Sequence, residues 1–171
     1  GKGLIGGGGA DDAGVHIGRR RRGRRQRGAR RLGTHIGRGF GGPGDMTATH
    51  VAWSTPKGSS FVPSPLVLGD YLYTVNDMVS VVSCHNARTG ELIGQLRLGE
   101  PQREGFSASP IAVGGKIFFT NDEGDTFVLS PAPDFKLLHV NRIGERTLAS
   151  PALVDGRWYI RSQDHLLCIG A

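Results

Sequence analysis

The sequence predicts an all-β fold assembled from a repeated four-stranded unit, and three observations predict it. The dipeptide Ser-Pro recurs at Ser64-Pro65, Ser109-Pro110 and Ser150-Pro151, with spacings of 45 and 41 residues. Fixed columns follow each serine. Five and six residues on stand Gly69-Asp70, Gly114-Gly115 and Asp155-Gly156, and nine residues on stand Tyr73, Phe118 and Tyr159. No segment sustains a 3.6-residue apolar period, so helical repeats of similar length are disfavoured.

The chain begins with a region that does not share this pattern. Residues 1–45 hold 16 of the 28 glycines and eleven basic against three acidic groups, a net charge of +8. Residues 46–171 carry ten basic and twelve acidic groups, a net charge of −2. Isolated apolar residues among glycines and mutually repelling arginines cannot build a core. Residues 1–45 are therefore read as a disordered basic arm, and residues 46–171 as the β domain. Within the arm, Arg19 to Arg31 holds nine arginines in thirteen residues. Arg19, Arg20, Arg21, Arg22, Arg24 and Arg25 are the candidate contacts to phosphates or an anionic surface, each contact releasing counterions. No aromatic side chain interleaves them, so base stacking lacks a platform. A solvated tail, or a low-complexity stretch not of native coding origin, is preferred over a nucleic-acid arm. His-Ile-Gly-Arg occurring at both 16–19 and 35–38 fits that preference.

The repeated units follow in order. Thr47–Thr55 has the pattern of an outer strand from a preceding unit. Each unit then opens with a short apolar run: Leu66–Leu68, Ile111–Val113 or Ala152–Val154. Pro just before it suits a strand's start, because it has no N–H to give a ladder. The Gly/Asp pair supplies the positive φ of a two-residue hairpin turn. A second strand rich in aromatic and β-branched residues comes next (Tyr71–Val75, Lys116–Thr120, Arg157–Arg161). After a polar turn come third strands at Val79–His85, Thr126–Ser130 and His165–Ile169. Fourth strands are read at Glu91–Leu98 and Phe135–Ile143. Four strands per period of ~40–45 residues is the pattern of propeller blades. The fold predicted is thus a partial β-propeller of about three four-stranded antiparallel blades. Closed rings use about four to eight blades, so the chain reads as the C-terminal part of a longer propeller whose other blades are its first partners. No apolar run approaches the ~18 residues of a membrane span, and no secretory signal pattern is visible.

The segments FVPSPLVLGDYLYTVNDM, SASPIAVGGKIFFTNDEGDTFVLSP and IGERTLASPALVDGRWYIRSQDHLLCIG resemble the PQQ-like β-propeller repeat proteins. That family includes the outer-membrane assembly scaffold lipoprotein and the quinoprotein dehydrogenases. The resemblance runs from about residue 44, taking in GDMTATHVAW, to residue 171. It implies an eight-bladed ring, a periplasmic or otherwise extracytoplasmic bacterial location, and protein–protein scaffolding through loops on a ring face. It also raises an alternative: a fragment of a PQQ-dependent alcohol or sugar dehydrogenase, with PQQ and Ca²⁺ bound in other blades. The dehydrogenases stack the quinone on a Trp, cover it with adjacent cysteines and hold calcium with Glu, Asn and Asp. Here Cys84 and Cys168 are far apart, on equivalent third strands, and both are expected to be buried and unreactive. The family's blade-docking motif, Ala-x-Thr-Gly-x-x-x-Trp, is met by Ala87-Arg88-Thr89-Gly90 but places Gly94 at the Trp position. The stacking contact between blades is therefore expected to be missing there. No cofactor is expected in this chain.

The remaining constellations point to structure rather than chemistry. The six histidines show no zinc spacing. Asn121 to Asp125 is calcium-like in composition alone, and a turn between strands wants the same residues. No nucleophile elbow or phosphate loop is present. Ser64, Ser109 and Ser150 recur with Pro65, Pro110 and Pro151, so blade structure explains them better than catalysis. Tyr73, Phe118 and Tyr159 are read as blade-to-blade packing. Glu145-Arg146, on the loop leading into the third blade, is expected to pair with a neighbouring backbone or side chain, or to face a partner. The reading that results is a non-catalytic interaction scaffold of the bacterial envelope.

Overall fold

A computed structural model describes residues 34–37, 51–55, 60–100 and 105–170. The arginines of the arm, Arg19 to Arg25 among them, lie outside the described residues. Strands β3 (Leu66–Leu68), β4 (Tyr71–Asn76), β5 (Val81–Asn86) and β6 (Leu92–Arg97) form a four-stranded antiparallel meander, blade one. Blade two repeats it with β7 (Ile111–Val113), β8 (Lys116–Thr120), β9 (Asp125–Leu129) and β10 (Leu137–Arg142). Blade three contains β11 (Ala152–Val154), β12 (Arg157–Arg161) and β13 (Leu166–Ile169). The architecture is a partial β-propeller.

The turn chemistry works as the sequence requires. Leu68 pairs with Tyr71, Val113 with Lys116 and Val154 with Arg157, leaving two-residue loops. Gly69, Gly114, Gly115, Asp155 and Gly156 all take positive φ there, the backbone twist that matches a hairpin's strands.

Two further strands precede blade one: β1 (Thr34–Gly37) and β2 (Val51–Thr55), paired antiparallel. β1 falls inside the segment read as disordered, so that reading does not hold for Thr34–Gly37. Its register with β2 is informative. Ile36 faces Trp53 and Gly37 faces Val51, so Ala52 is one extra residue on β2. In blade one Cys84 faces Gly94 and His85 faces Leu92, leaving Ile93 extra on β6. In blade two Val128 faces His139 and Leu129 faces Leu137, leaving Leu138 extra on β10. The same one-residue bulge recurs just before the same position on each outer strand. Bulges bend a strand and re-aim its side chains. β1 and β2 therefore have the register of a blade's third and fourth strands, and Trp53, Gly94 and His139 occupy one structural column.

The core lies between blades one and two. Tyr73, Val75, Val82, Cys84 and Leu98 pack with Phe106, Ile117, Phe119, Phe127, Leu129 and Phe135, all buried. A large apolar side chain removed from water contributes ~1.5–3 kcal/mol, which explains why the two sheets stack face to face along middle strands that are buried residue after residue.

Candidate functional site: the loop face of the blades

The repeated serines join the blades along the inner strands. The Ser64 N–H donates to Ser109 Oγ at 3.0 Å, and the Ser109 N–H donates to Ser150 Oγ at 2.9 Å. Each following proline starts the chain into β3, β7 or β11, so the serine is the last residue before the strand that can donate a backbone N–H. Ser64, Ser109 and Ser150 are thus blade connectors. Two residues of the aromatic column, Tyr73 and Phe118, meet the next blade. Tyr73 is fully buried, and its hydroxyl accepts from the Ala132 N–H of blade two at 2.8 Å. Burial pushes the Tyr73 phenol up to about 12. Phe118 meets Trp158 of blade three with ring centroids 4.7 Å apart. Tyr159 is half-buried.

The docking contacts differ from expectation. Trp53 lies on the turn Ala87 to Gly90: its indole N–H donates to the Ala87 carbonyl at 2.9 Å. A Cβ on Gly90 would fall 2.6 Å from the Trp53 ring. The motif residues of blade one therefore receive the Trp of the preceding strand. At Gly94 the expected gap is filled from the other side. Phe135 of blade two is buried, and its ring lies 3.0 Å from where a Gly94 Cβ would stand. His85 lies under Trp53, with ring centroids 5.7 Å apart, and its Nδ1 has no hydrogen-bond partner among the described residues. Burial pulls its imidazole below 6.5. Cys84 is buried as expected, with its thiol pushed up by burial, but Cys168 is exposed.

One ring face is formed by the loops leading into each blade and by the turns between second and third strands. An aspartate fastens the two in blades one and two. Asp77 Oδ1 accepts from the Phe61 N–H at 2.9 Å. Asp122 accepts from the Ser107 N–H at 2.8 Å and from Ser107 Oγ at 3.1 Å. In blade three the matching residue is Gln163, and the fastening carboxylate comes instead from Glu145 of the lead-in loop. The Asp164 N–H donates to Glu145 Oε1, and His165 Nδ1 lies 2.9 Å from Glu145 Oε2. His165 sits in this turn, ahead of β13 rather than within it.

These fastenings set the chemistry of the face. In blade one the Phe61 backbone is held by Asp77, the residue before Met78, and the side chains of Phe61, Val62, Met78 and Val79 are 55%, 58%, 72% and 43% exposed. In blade two Phe106 is buried against Phe127, and Asp122 and Glu123 stand in its turn. In blade three a cleft of about 200 Å³ is lined by Arg146, Leu148, Ala149, Arg161, Ser162 and Gln163. Repetition does not signal the blade-one patch: Phe61 and Phe106 both stand three residues before the Ser-Pro serine, yet only Phe106 is buried, and Val62 and Met78 have Ser107 and Glu123 at the matching positions of blade two.

The calcium-like residues of the blade-two turn, and Trp53, are engaged within the protein. Asn121 Oδ1 accepts from the Asp125 N–H at 2.7 Å, Asp122 holds Ser107, and Asp125 pairs with Arg142 at 3.4 Å. Trp53 has its ring on Gly90. Among the described residues no three His, Cys, Asp or Glu side chains converge on one point.

No family model and no curated protein sequence matches the chain. Solved structures do. The crystal structure of BamB from Moraxella catarrhalis superposes with a TM-score of 0.57 at 17% identity, covering 70% of this chain and 36% of that one. A europium-containing methanol dehydrogenase superposes with a TM-score of 0.50 at 10% identity, covering 63% of this chain and 21% of that one. The shared feature is the PQQ-like β-propeller fold. The chain spans about a third of the first structure and a fifth of the second.

Proposed function

We propose that this chain, built on the PQQ-like β-propeller fold, serves as a non-catalytic scaffold that binds a protein partner of the bacterial cell envelope. The other blades of a ring would be its structural partners, and the loop face its binding surface. One observation carries the reading: the exposed apolar patch of Phe61, Val62, Met78 and Val79. Contiguous exposed apolar groups rimmed by polar loops are a feature of protein-binding surfaces. Two other arrangements support it. Ser64, Ser109, Ser150, Tyr73 and Phe118 are engaged between blades, and Asp122 of the blade-two turn is engaged in fastening a loop.

The test compares wild type with Phe61→Ser/Met78→Ser, both side chains being exposed so that the fold is retained. A photo-crosslinker is placed at Val62 in each, and the proteins are mixed with an envelope extract. A crosslinked partner that is identified with wild type and lost with the variant is the expected result. Equal crosslinking in both would overturn the assignment of the patch. An absorbance change on adding PQQ and Ca²⁺, with dye reduction by an alcohol or sugar, would overturn the non-catalytic reading in favour of the dehydrogenase.

A further inference from the structure

We infer that Glu145 and His165 form a pH-operated latch, which holds the Ser162–His165 turn of blade three against the loop leading into that blade. Blades one and two fasten this same pair of loops with Asp77 and Asp122, each accepting from the lead-in loop. Those fastenings contain no histidine. Blade three keeps the backbone part of the joint: the Gln163 N–H donates to the Arg146 carbonyl at 2.7 Å, as the Asp122 N–H donates to the Gly105 carbonyl at 2.9 Å. Its side-chain part is reversed. Gln163 has no charge to offer, and the carboxylate reaches across from Glu145 to Asp164 and His165.

Glu145 is a fixed post. Its carbonyl accepts from Thr147 Oγ1 at 3.0 Å, and a Cβ on Gly124 would stand 2.2 Å from the same oxygen. The Thr147 N–H donates to the Asp122 carbonyl, and the Ile143 N–H to the Gly124 carbonyl. The loop is thereby tied to blade two, and the latch ties blade three to the loop. The other charged groups about the ring are Asp164, which favours the imidazolium, and Arg161, which opposes it. Arg161 also donates to the His165 carbonyl at 3.1 Å.

The Glu145 hydrogen bond and charge raise His165 above 6.5, while His165 and the Asp164 N–H lower Glu145 below 4.5. A raised histidine stabilises the joint below its unfolded value and loses that contribution as pH rises through the folded value. A lowered carboxylate loses its contribution as pH falls through its own folded value. The latch is therefore strongest in the mildly acidic range between the two, and it weakens on the alkaline side. Both side chains reach solvent, so salt weakens it.

The test uses the whole chain. Imidazole NMR follows His165, and hydrogen exchange follows the Asp164 amide, corrected for intrinsic rate. His165 is expected to titrate above 6.5, and Asp164 protection to fall several-fold across the same step. In Glu145→Gln the His165 midpoint drops and the Asp164 step disappears. The Asp122 amide, in a fastening without histidine, stays level and reports that the fold is intact. An unchanged His165 midpoint in Glu145→Gln would overturn the latch, as would an Asp164 amide indifferent to the titration.

Discussion

The joint ahead of blade one and the joint between blades one and two solve one packing problem from opposite sides. In the first, the outer strand supplies the large group and the next turn supplies the space: Trp53 lies on Gly90. In the second, the outer strand supplies the space at Gly94, and the next blade's turn supplies the ring of Phe135. The swap occurs at matching positions. Gly90 directly precedes Glu91, whose carbonyl accepts from Asn86, and Phe135 directly precedes Lys136, whose carbonyl accepts from Ser130. Both residues take positive φ, +78° for Gly90 and +26° for Phe135. The bulged outer strand fixes where the cavity between blades lies, and either partner can fill it. A Trp motif is one solution to that geometry.

The largest expected effect breaks the second joint. Phe135→Ala removes a buried ring that touches Gly94 and Tyr73, the latter with centroids 5.7 Å apart. Urea unfolding should show a loss of about 3–5 kcal/mol. The sharper form pairs Phe135→Gly with Gly94→Trp. Gly94→Trp alone overpacks the site, whereas the double variant places Trp on the outer strand and Gly at the positive-φ position, as in the first joint. The double variant should lose less than the sum of the single losses. Additive losses would show that the two joints are not interchangeable.

Gly90→Ala tests the first joint and should have a smaller effect. The new methyl would stand 2.6 Å from the Trp53 ring, at a φ of +78° that disfavours a side chain. Displacing Trp53 should cost about 1–3 kcal/mol. It should also shift Trp53 emission toward the red, read against Trp158 in a Trp158→Phe background. Unchanged emission would mean that the ring does not depend on Gly90.

Much of this was legible in the sequence, and the failures have physical causes. The Ser-Pro and Gly/Asp columns located β3, β4, β7, β8, β11 and β12, because a hairpin turn and a strand-opening proline tolerate few residues. Thr34–Gly37 was missed because a short strand among glycines lacks a run of β-formers, and its pairing with β2 supplies the structure. Phe135 was missed because the residue in its column of blade one is Gly90, which shares neither size nor chemistry with it, although its loop is also one residue longer. The Ser130 N–H reaches Lys136, six residues on, where the Asn86 N–H reaches Glu91, five residues on. Gly90 and Phe135 nevertheless share one column, 26 residues after Ser64 and Ser109, so what hid the docking position was the change of residue from Gly to Phe. The loop face was not legible either. Its fastenings join residues of unlike type, Phe61 with Asp77 and Ser107 with Asp122, and in blade three the carboxylate changes sides.

The smallest effect concerns the contact common to all the described blades. Ser109 Oγ accepts from the Ser64 N–H, while its own N–H donates to Ser150 Oγ. Ser109→Ala deletes the first bond and keeps the second, because the second uses the backbone. The Ser64 N–H lies in an exposed residue and can turn to water, so the loss should be only about 0.5–1.5 kcal/mol. Amide exchange should locate it: Ser64 loses protection and Ser109 keeps its own. If both amides lost protection together, the serines would act as one cooperative chain around the axis, and the joints compared above could not be treated as independent units.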